Sequence, residues 1–130
     1  GRLTAVSSVA TLTLSGSTYT ASFTNVANLD STPGNTTATF LRVGNTVTVS
    51  GVVTVNPTLT ATSTQVGISL PIASDFANAS ECAGVAFSPA IAGQGAAILG
   101  DITNNRAQMQ WISADITAQD MYFNFTYQVI

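Results

Sequence analysis

The chain has 130 residues, a length that fits a single domain with one core, and only 7% of its residues are charged, against roughly 25% in typical soluble domains. Its net charge is −3 and its three arginines are scattered, which excludes a sequence-independent hold on nucleic acid or on an anionic membrane. No apolar run approaches the roughly 20 residues of a membrane helix, so we expect no stable membrane insertion.

Cysteine usage and the start of the chain give two further expectations. Cys82 is the single cysteine and cannot form an internal disulfide, so the fold does not depend on oxidation, which fits synthesis in a reducing cytoplasm. We interpret Cys82 as a small buried hydrophobe, because no cation stands near it in sequence to lower the pKa of its thiol. Since the chain opens at Gly1 without a methionine, we expect one domain, residues 1–130, from the C-terminal part of a longer fibrous protein.

The first predicted elements are two short strands and a loop. Residues 3–14 end in a strand with Leu12 and Leu14 directed inward. In residues 19–26, apolar side chains alternate with threonine and serine, the period of two that a pleated strand imposes. Residues 28–35 (NLDSTPGN) concentrate turn-forming residue types and are predicted to be a loop.

A β-hairpin is predicted next. Its strands, Thr37–Val43 and Thr46–Asn56, are separated by Gly44 and Asn45, which both tolerate the positive φ of a primed two-residue turn. Valines share one face of the second strand with Gly51. We interpret Gly51 as the mark of a bulge or of a close contact.

The following segments continue the strand pattern with one interruption. Val66, Ile68 and Leu70 point the same way, as in a strand. Residues 72–82 do not alternate, and we predict a structured loop with at most one helical turn. Three more strands are predicted at Ala83–Phe87, Ala96–Ile102 and Arg106–Ile112.

The last ten residues, MYFNFTYQVI, form the clearest predicted strand. Two sets of side chains alternate along it: Met121, Phe123, Phe125, Tyr127 and Val129 on one face, and Tyr122, Asn124, Thr126 and Gln128 on the other. The first face is expected to close the core. The second face suits an outer surface, a subunit contact or a ligand platform, and the residues alone leave these three uses open.

The sum of these elements is seven to nine strands with turn signals every eight to twelve residues and no convincing amphipathic helix. This pattern predicts an all-β fold, an antiparallel β-sandwich of the jelly-roll or immunoglobulin type. We favour the jelly roll, because the cysteine pair of many immunoglobulin domains is absent.

The residue types present leave little room for catalysis. The chain contains no histidine and no lysine, so it has neither an imidazole to activate a nucleophile nor a lysine amine to act as one. Paired carboxylates could cleave glycosides or bind Ca²⁺, and the available pairs are Asp115 with Asp120 and Asp75 with Glu81. These residues lie in turn-rich segments, where Asp commonly bonds backbone amides, and no calcium-loop motif is present. We therefore predict no enzyme, no catalytic residue, no cofactor and no metal.

Three residues are candidates for binding, and a fourth, Trp111, is considered beside them. Arg42 and Arg106 are scarce cations near turns, and each could hold a carboxylate ligand or pair with a neighbouring Asp. Tyr122 faces away from the predicted core, so it is an interface anchor, an exposed ring or a ligand contact. Trp111 could stack on a sugar, but its position in a row with Ala107 favours core packing.

Three parts of the chain carry a recognisable series of motifs: RVGNTVTVSG at 42–51, VGISLPIASDF at 66–76, and NNRAQMQWI at 104–112 followed by the terminal FNFTYQVI at 123–130. Together they resemble the C-terminal knob or tip domains of bacteriophage tail fibres and tail needles. In that family an RxGNxVTVSG hairpin, an SLP segment and a closing F-x-[FI]-T-Y strand recur in this order. The likeness covers roughly residues 36–130.

The resemblance implies a non-enzymatic virion protein of the phage tail tip. It implies a homotrimeric jelly-roll knob, similar to tumour-necrosis-factor-like trimers, at the distal end of a fibrous stem that precedes Gly1. Such a knob contacts a bacterial cell-surface receptor or glycan during attachment. Combined with the low charge, it makes the polar face of the last strand our candidate subunit contact, formed by Tyr122, Asn124, Thr126 and Gln128.

A second hypothesis from a different class is a monomeric carbohydrate-binding module. It would use exposed aromatic rings and loop Asn and Asp side chains to recognise envelope polysaccharide. The two hypotheses differ in oligomeric state, which the sequence does not determine.

Overall fold

The computed structural model describes residues 13–130, which form nine strands in one antiparallel sheet. The strands are β1 (Leu14–Ala21), β2 (Phe23–Ala27), β3 (Thr36–Val43), β4 (Thr46–Val55), β5 (Ser63–Ile68), β6 (Cys82–Phe87), β7 (Gly95–Asp101), β8 (Arg106–Ile112) and β9 (Gln119–Gln128). One short 3₁₀ helix, Ala79–Glu81, precedes β6. The all-β class and the antiparallel pairing are thus confirmed, and so is the single helical turn allowed in residues 72–82.

The sheet is curled, and its two edge strands are consecutive in the chain. The strand order is β1-β3-β4-β9-β6-β7-β8-β5-β2, so β1 and β2 stand at opposite edges although only Ser22 separates them. At this seam the Ser69 amide donates to the Ser22 carbonyl at 3.0 Å, and the Ser22 amide donates to Ser69 Oγ at 2.9 Å. All nine strands therefore belong to one sheet around one core, where the sequence predicted a sandwich of two.

The start of the sheet differs from the prediction in two respects. The strand predicted over residues 19–26 is divided at Ser22, because the chain stops pairing with β3 there and begins to pair with β5. Leu14, predicted to point inward, is 71% exposed, since it lies on the face of β1 opposite to Ala21. Leu12 and the rest of residues 3–12 lie outside the described residues.

The predicted hairpin is confirmed. Val43 pairs with Thr46, and Gly44 has a φ of 61°, as the two-residue turn requires. Gly51 faces Phe123 across the β4–β9 pair, where a built Cβ atom would lie only 2.6 Å from the Phe123 ring. Of the two interpretations of Gly51, the close contact is the one observed.

The last strand is a central strand of the sheet. β9 pairs with β4 on one side and with β6 on the other, and it begins at Gln119, two residues earlier than predicted. Four side chains of its inner face are buried, namely Met121, Phe123, Phe125 and Tyr127. Burial of such side chains stabilises a fold by about 1.5–3 kcal/mol each, so β9 contributes much of the core.

Two further core predictions are confirmed. Trp111 is buried in a row with Ala107 and Met109 on the inner face of β8. Cys82 is buried at the start of β6, and burial raises the pKa of its thiol to about 12. Neither residue is available to a ligand on the outer surface.

Candidate functional site

The outer face of β9 presents the four predicted side chains between those of β4 and β6. Tyr122, Asn124 and Gln128 are exposed and Thr126 is half-buried. In register, Tyr122 lies between Val52 of β4 and Phe87 of β6. The prediction that this face points away from the core is confirmed.

The middle of this face is a polar surface held by cross-strand hydrogen bonds. Asn124 Nδ2 donates to Ser50 Oγ at 2.6 Å, and the hydroxyls of Thr48 and Thr126 are 3.3 Å apart. Both pairs join β9 to β4. These groups are uncharged, so the middle of the face is neutral. Their hydrogen bonds to one another fix their conformations.

One end of the face carries an exposed apolar group, which we call the outer aromatic cluster: Val85, Phe87 and Tyr122. The Phe87 and Tyr122 rings meet edge to face with centroids 5.5 Å apart. Phe87 is 53% exposed and Tyr122 is 45% exposed. Contiguous exposed apolar side chains indicate an interaction surface. Asp120, two residues before Tyr122 on the same face of β9, is exposed and accepts a hydrogen bond from Thr54 Oγ1 at 2.6 Å. Sequence reasoning did not single out Val85 and Phe87, although the alternation of β6 placed both on its outer face.

A second exposed apolar group lies at the β1 edge of the same sheet. Leu14 of β1 pairs with Val43 of β3, and Leu41 of β3 covers Gly16 of β1. We call Leu14, Leu41 and Val43 the β1–β3 patch; all three are exposed. β4 separates it from β9, so the molecule presents two distinct apolar surfaces.

A polar groove of about 500 Å³ lies at the seam between β1 and β2. We call it the Arg106 groove; its polar lining consists of Ser22, Thr24, Ser69, Asn104, Asn105 and Arg106. Arg106 Nε donates to Asp101 Oδ2 at 3.0 Å. Of the two roles considered for Arg106, the pairing with a neighbouring Asp is observed, and the paired guanidinium lines the groove.

Arg42 occupies a different place and a different role. Its Nε donates to the Gly44 carbonyl at 2.7 Å, so the side chain supports the hairpin turn. Neither Arg42 nor Tyr122 lines the Arg106 groove. The three predicted binding residues therefore belong to separate parts of the surface.

The carboxylates considered for catalysis accept hydrogen bonds from neighbouring segments. Asp115 Oδ1 accepts from the Thr117 amide at 2.8 Å, which lowers the pKa of Asp115. Glu81 accepts from the Ala77 amide at 2.9 Å. Within residues 13–130, no group of three or more His, Cys, Asp or Glu side chains is placed to hold a metal ion.

Comparisons with known proteins found no matching family model, curated protein or solved structure. The resemblance to phage knob domains therefore depends on the sequence motifs alone. In the part of the chain that the structure describes, no helix is long and apolar enough to cross a membrane.

Proposed function

We propose that this chain is the distal knob of a bacteriophage tail fibre or tail needle. In this proposal it is a non-enzymatic virion domain that forms a homotrimer and contacts the bacterial surface during attachment. The proposal also relates the curled sheet to the jelly roll of tumour-necrosis-factor-like trimers. Its support from sequence is the order of the motifs, and in the fold two of them occupy the β3–β4 hairpin and the central strand β9.

The observation that carries the proposal is the outer aromatic cluster on a chain with very few charges. Phe87 and Tyr122 remain exposed in the single chain although they are large apolar rings. Burial against another subunit would remove this apolar area from water, which favours association. The hydrogen-bonded pairs on the Asn124 side of the cluster carry no charge that burial would penalise, and Asp120 on its other side accepts a hydrogen bond from Thr54.

A cyclic trimer uses two different surfaces of each subunit, because its interface is heterologous. The outer aromatic cluster and the β1–β3 patch are two such surfaces, and both are apolar. We propose that the cluster of one subunit packs against the β1–β3 patch of the next. Tyr122 is then the anchor of the contact, and Leu41 is its partner on the neighbouring subunit.

Charged substitutions in the two surfaces test this arrangement. Tyr122→Arg and Leu41→Arg should each convert the trimer to a monomer at concentrations of about 10 µM, because each buries an unpaired charge. Sedimentation velocity measures the mass, and circular dichroism checks the fold. Leu59→Arg is the matched control, since Leu59 is exposed in the loop after β4, outside both surfaces. Trimers that survive both Tyr122→Arg and Leu41→Arg would exclude this interface.

A monomeric carbohydrate-binding module is the second candidate, and the Arg106 groove is the observation that favours it. Its polar lining is rich in hydroxyl and amide groups, which suit a saccharide. Trp111, in contrast, is buried and not available for stacking. A monomeric chain that binds envelope polysaccharide on a glycan array would favour this candidate over the knob.

A further inference from the structure

The side chain of Arg106 crosses β5 at Gly67, where only a glycine leaves room for it. A Cβ atom built on Gly67 would lie 2.5 Å from Arg106 Nε and 2.8 Å from Cζ. The end of the Arg106 side chain therefore lies close over Gly67, and the side chain is only 21% exposed. This contact and the ion pair with Asp101 orient the cation.

The ion pair with Asp101 uses only one edge of the guanidinium. Asp101 also accepts hydrogen bonds from the Thr103 amide and from the amide and side chain of Asn104. Partial burial alone would raise the pKa of Asp101, but the bonds from Asn104 and the charge of Arg106 lower it on balance. Asp101 thus stays ionised and holds Nε. Among the described residues, Nη1 and Nη2 of Arg106 have no hydrogen-bond partner.

The rest of the groove offers polar groups that make no bond within the chain. Arg106 is the single charged residue among those that line the groove, and Asp75 lies beside it, where its Oδ1 accepts from Asn105 Nδ2 at 3.2 Å. The side-chain oxygens Ser22 Oγ, Thr24 Oγ1 and Asn104 Oδ1 make no hydrogen bond within residues 13–130. Leu70, Pro71 and Ala73 supply the apolar part of the lining. A groove of this size lies in the range that holds small ligands, roughly 300–1,000 Å³.

We propose that the Arg106 groove binds a sugar acid, a saccharide that carries one carboxylate. The carboxylate accepts hydrogen bonds from Nη1 and Nη2 of Arg106, since the planar guanidinium matches a carboxylate with two parallel bonds. The ring hydroxyls bond Ser22, Thr24 and Asn104. One guanidinium already shared with Asp101, on a chain of net charge −3, favours a monoanion over the dianion of a phosphate. This inference does not rest on the trimer, because every contact lies within one chain.

Titration of the isotope-labelled chain, followed by NMR, tests the proposal. The probes are D-glucuronic acid and N-acetylneuraminic acid, with D-glucose and inorganic phosphate as controls. We expect saturable shifts at residues of the groove with a Kd on the order of 1 mM for at least one sugar acid. Glucose should bind at least tenfold more weakly, because it lacks the carboxylate.

Three variants test whether sugar-acid binding depends on Arg106. Arg106→Gln removes the cation and should weaken sugar-acid binding at least tenfold. Gly67→Ala should do the same without unfolding the chain, since the added methyl group meets only the flexible end of Arg106, which must move. Arg42→Gln is the matched control; it removes an arginine outside the groove and should leave the Kd unchanged.

Three results would overturn the proposal. The first is the absence of saturable shifts with either sugar acid at about 50 mM, roughly fifty times the expected Kd. The second is equal binding by the parent chain and by folded Arg106→Gln or Gly67→Ala. The third is tighter binding of inorganic phosphate than of both sugar acids, which would make the groove a phosphate site. The oligomeric mass of the chain is measured separately. A monomeric mass would contradict the trimeric knob and leave the sugar-acid groove unaffected.

Discussion

At the scale of single residues, the hydroxyl of Tyr127 is the polar group that the core depends on most. Tyr127 Oη donates to the Ile72 carbonyl at 2.7 Å and accepts from the Ile72 amide at 3.1 Å. Tyr127→Phe should lower the free energy of unfolding by about 1–3 kcal/mol, because it leaves both backbone groups without a partner. Urea denaturation measures the loss. Tyr122→Phe, which removes an exposed hydroxyl, should change stability by less than about 0.5 kcal/mol. Equal effects of the two substitutions would contradict this role.

At the scale of elements, β9 holds the sheet together because strands pair along both of its edges. A chain that ends after Asn124 lacks Phe125, Tyr127, four of the ten residue pairs with β4 and three of the six residue pairs with β6. It should show no cooperative thermal transition by circular dichroism. A chain that ends after Gln128 loses only the contacts of residues 129–130, such as the 2.7 Å bond from the Val129 amide to the Asn45 carbonyl, and should remain folded. Cooperative unfolding of the shorter chain would refute the central role of β9.

Single elements could be predicted from the sequence, whereas their neighbours in the sheet could not. Alternation and turn chemistry are local, so the β3–β4 hairpin and the two faces of β9 could be predicted from adjacent residues. Which strands become neighbours depends on pairings distant in sequence. The contact of Phe87 with Tyr122 and the position of Arg106 over Gly67 arise from the β6–β9 and β5–β8 pairs. The outer aromatic cluster and the groove therefore could not be predicted from the chain.

At the scale of the whole molecule, the free energy of unfolding depends on pH in the alkaline range, because a thiol and a phenol hydroxyl are buried in the core. Burial raises the pKa of the Cys82 thiol from 9.0 and that of the Tyr127 hydroxyl from 10.0, each to about 12. The unfolded chain therefore loses these protons first. The free energy of unfolding should be constant from about pH 6 to about pH 9 and fall as the pH rises toward 12. Urea denaturation at a series of pH values measures the fall, and Cys82→Ala should make it shallower. A flat profile in the parent chain would contradict the burial of these groups.

We propose that two exposed apolar surfaces, the outer aromatic cluster and the β1–β3 patch, meet in a homotrimer. Light scattering of the unmodified chain after size-exclusion chromatography tests it most directly. At concentrations of about 10–100 µM, the account predicts a mass three times that of the 13.3 kDa chain. A single species of 13.3 kDa across this range would contradict the account.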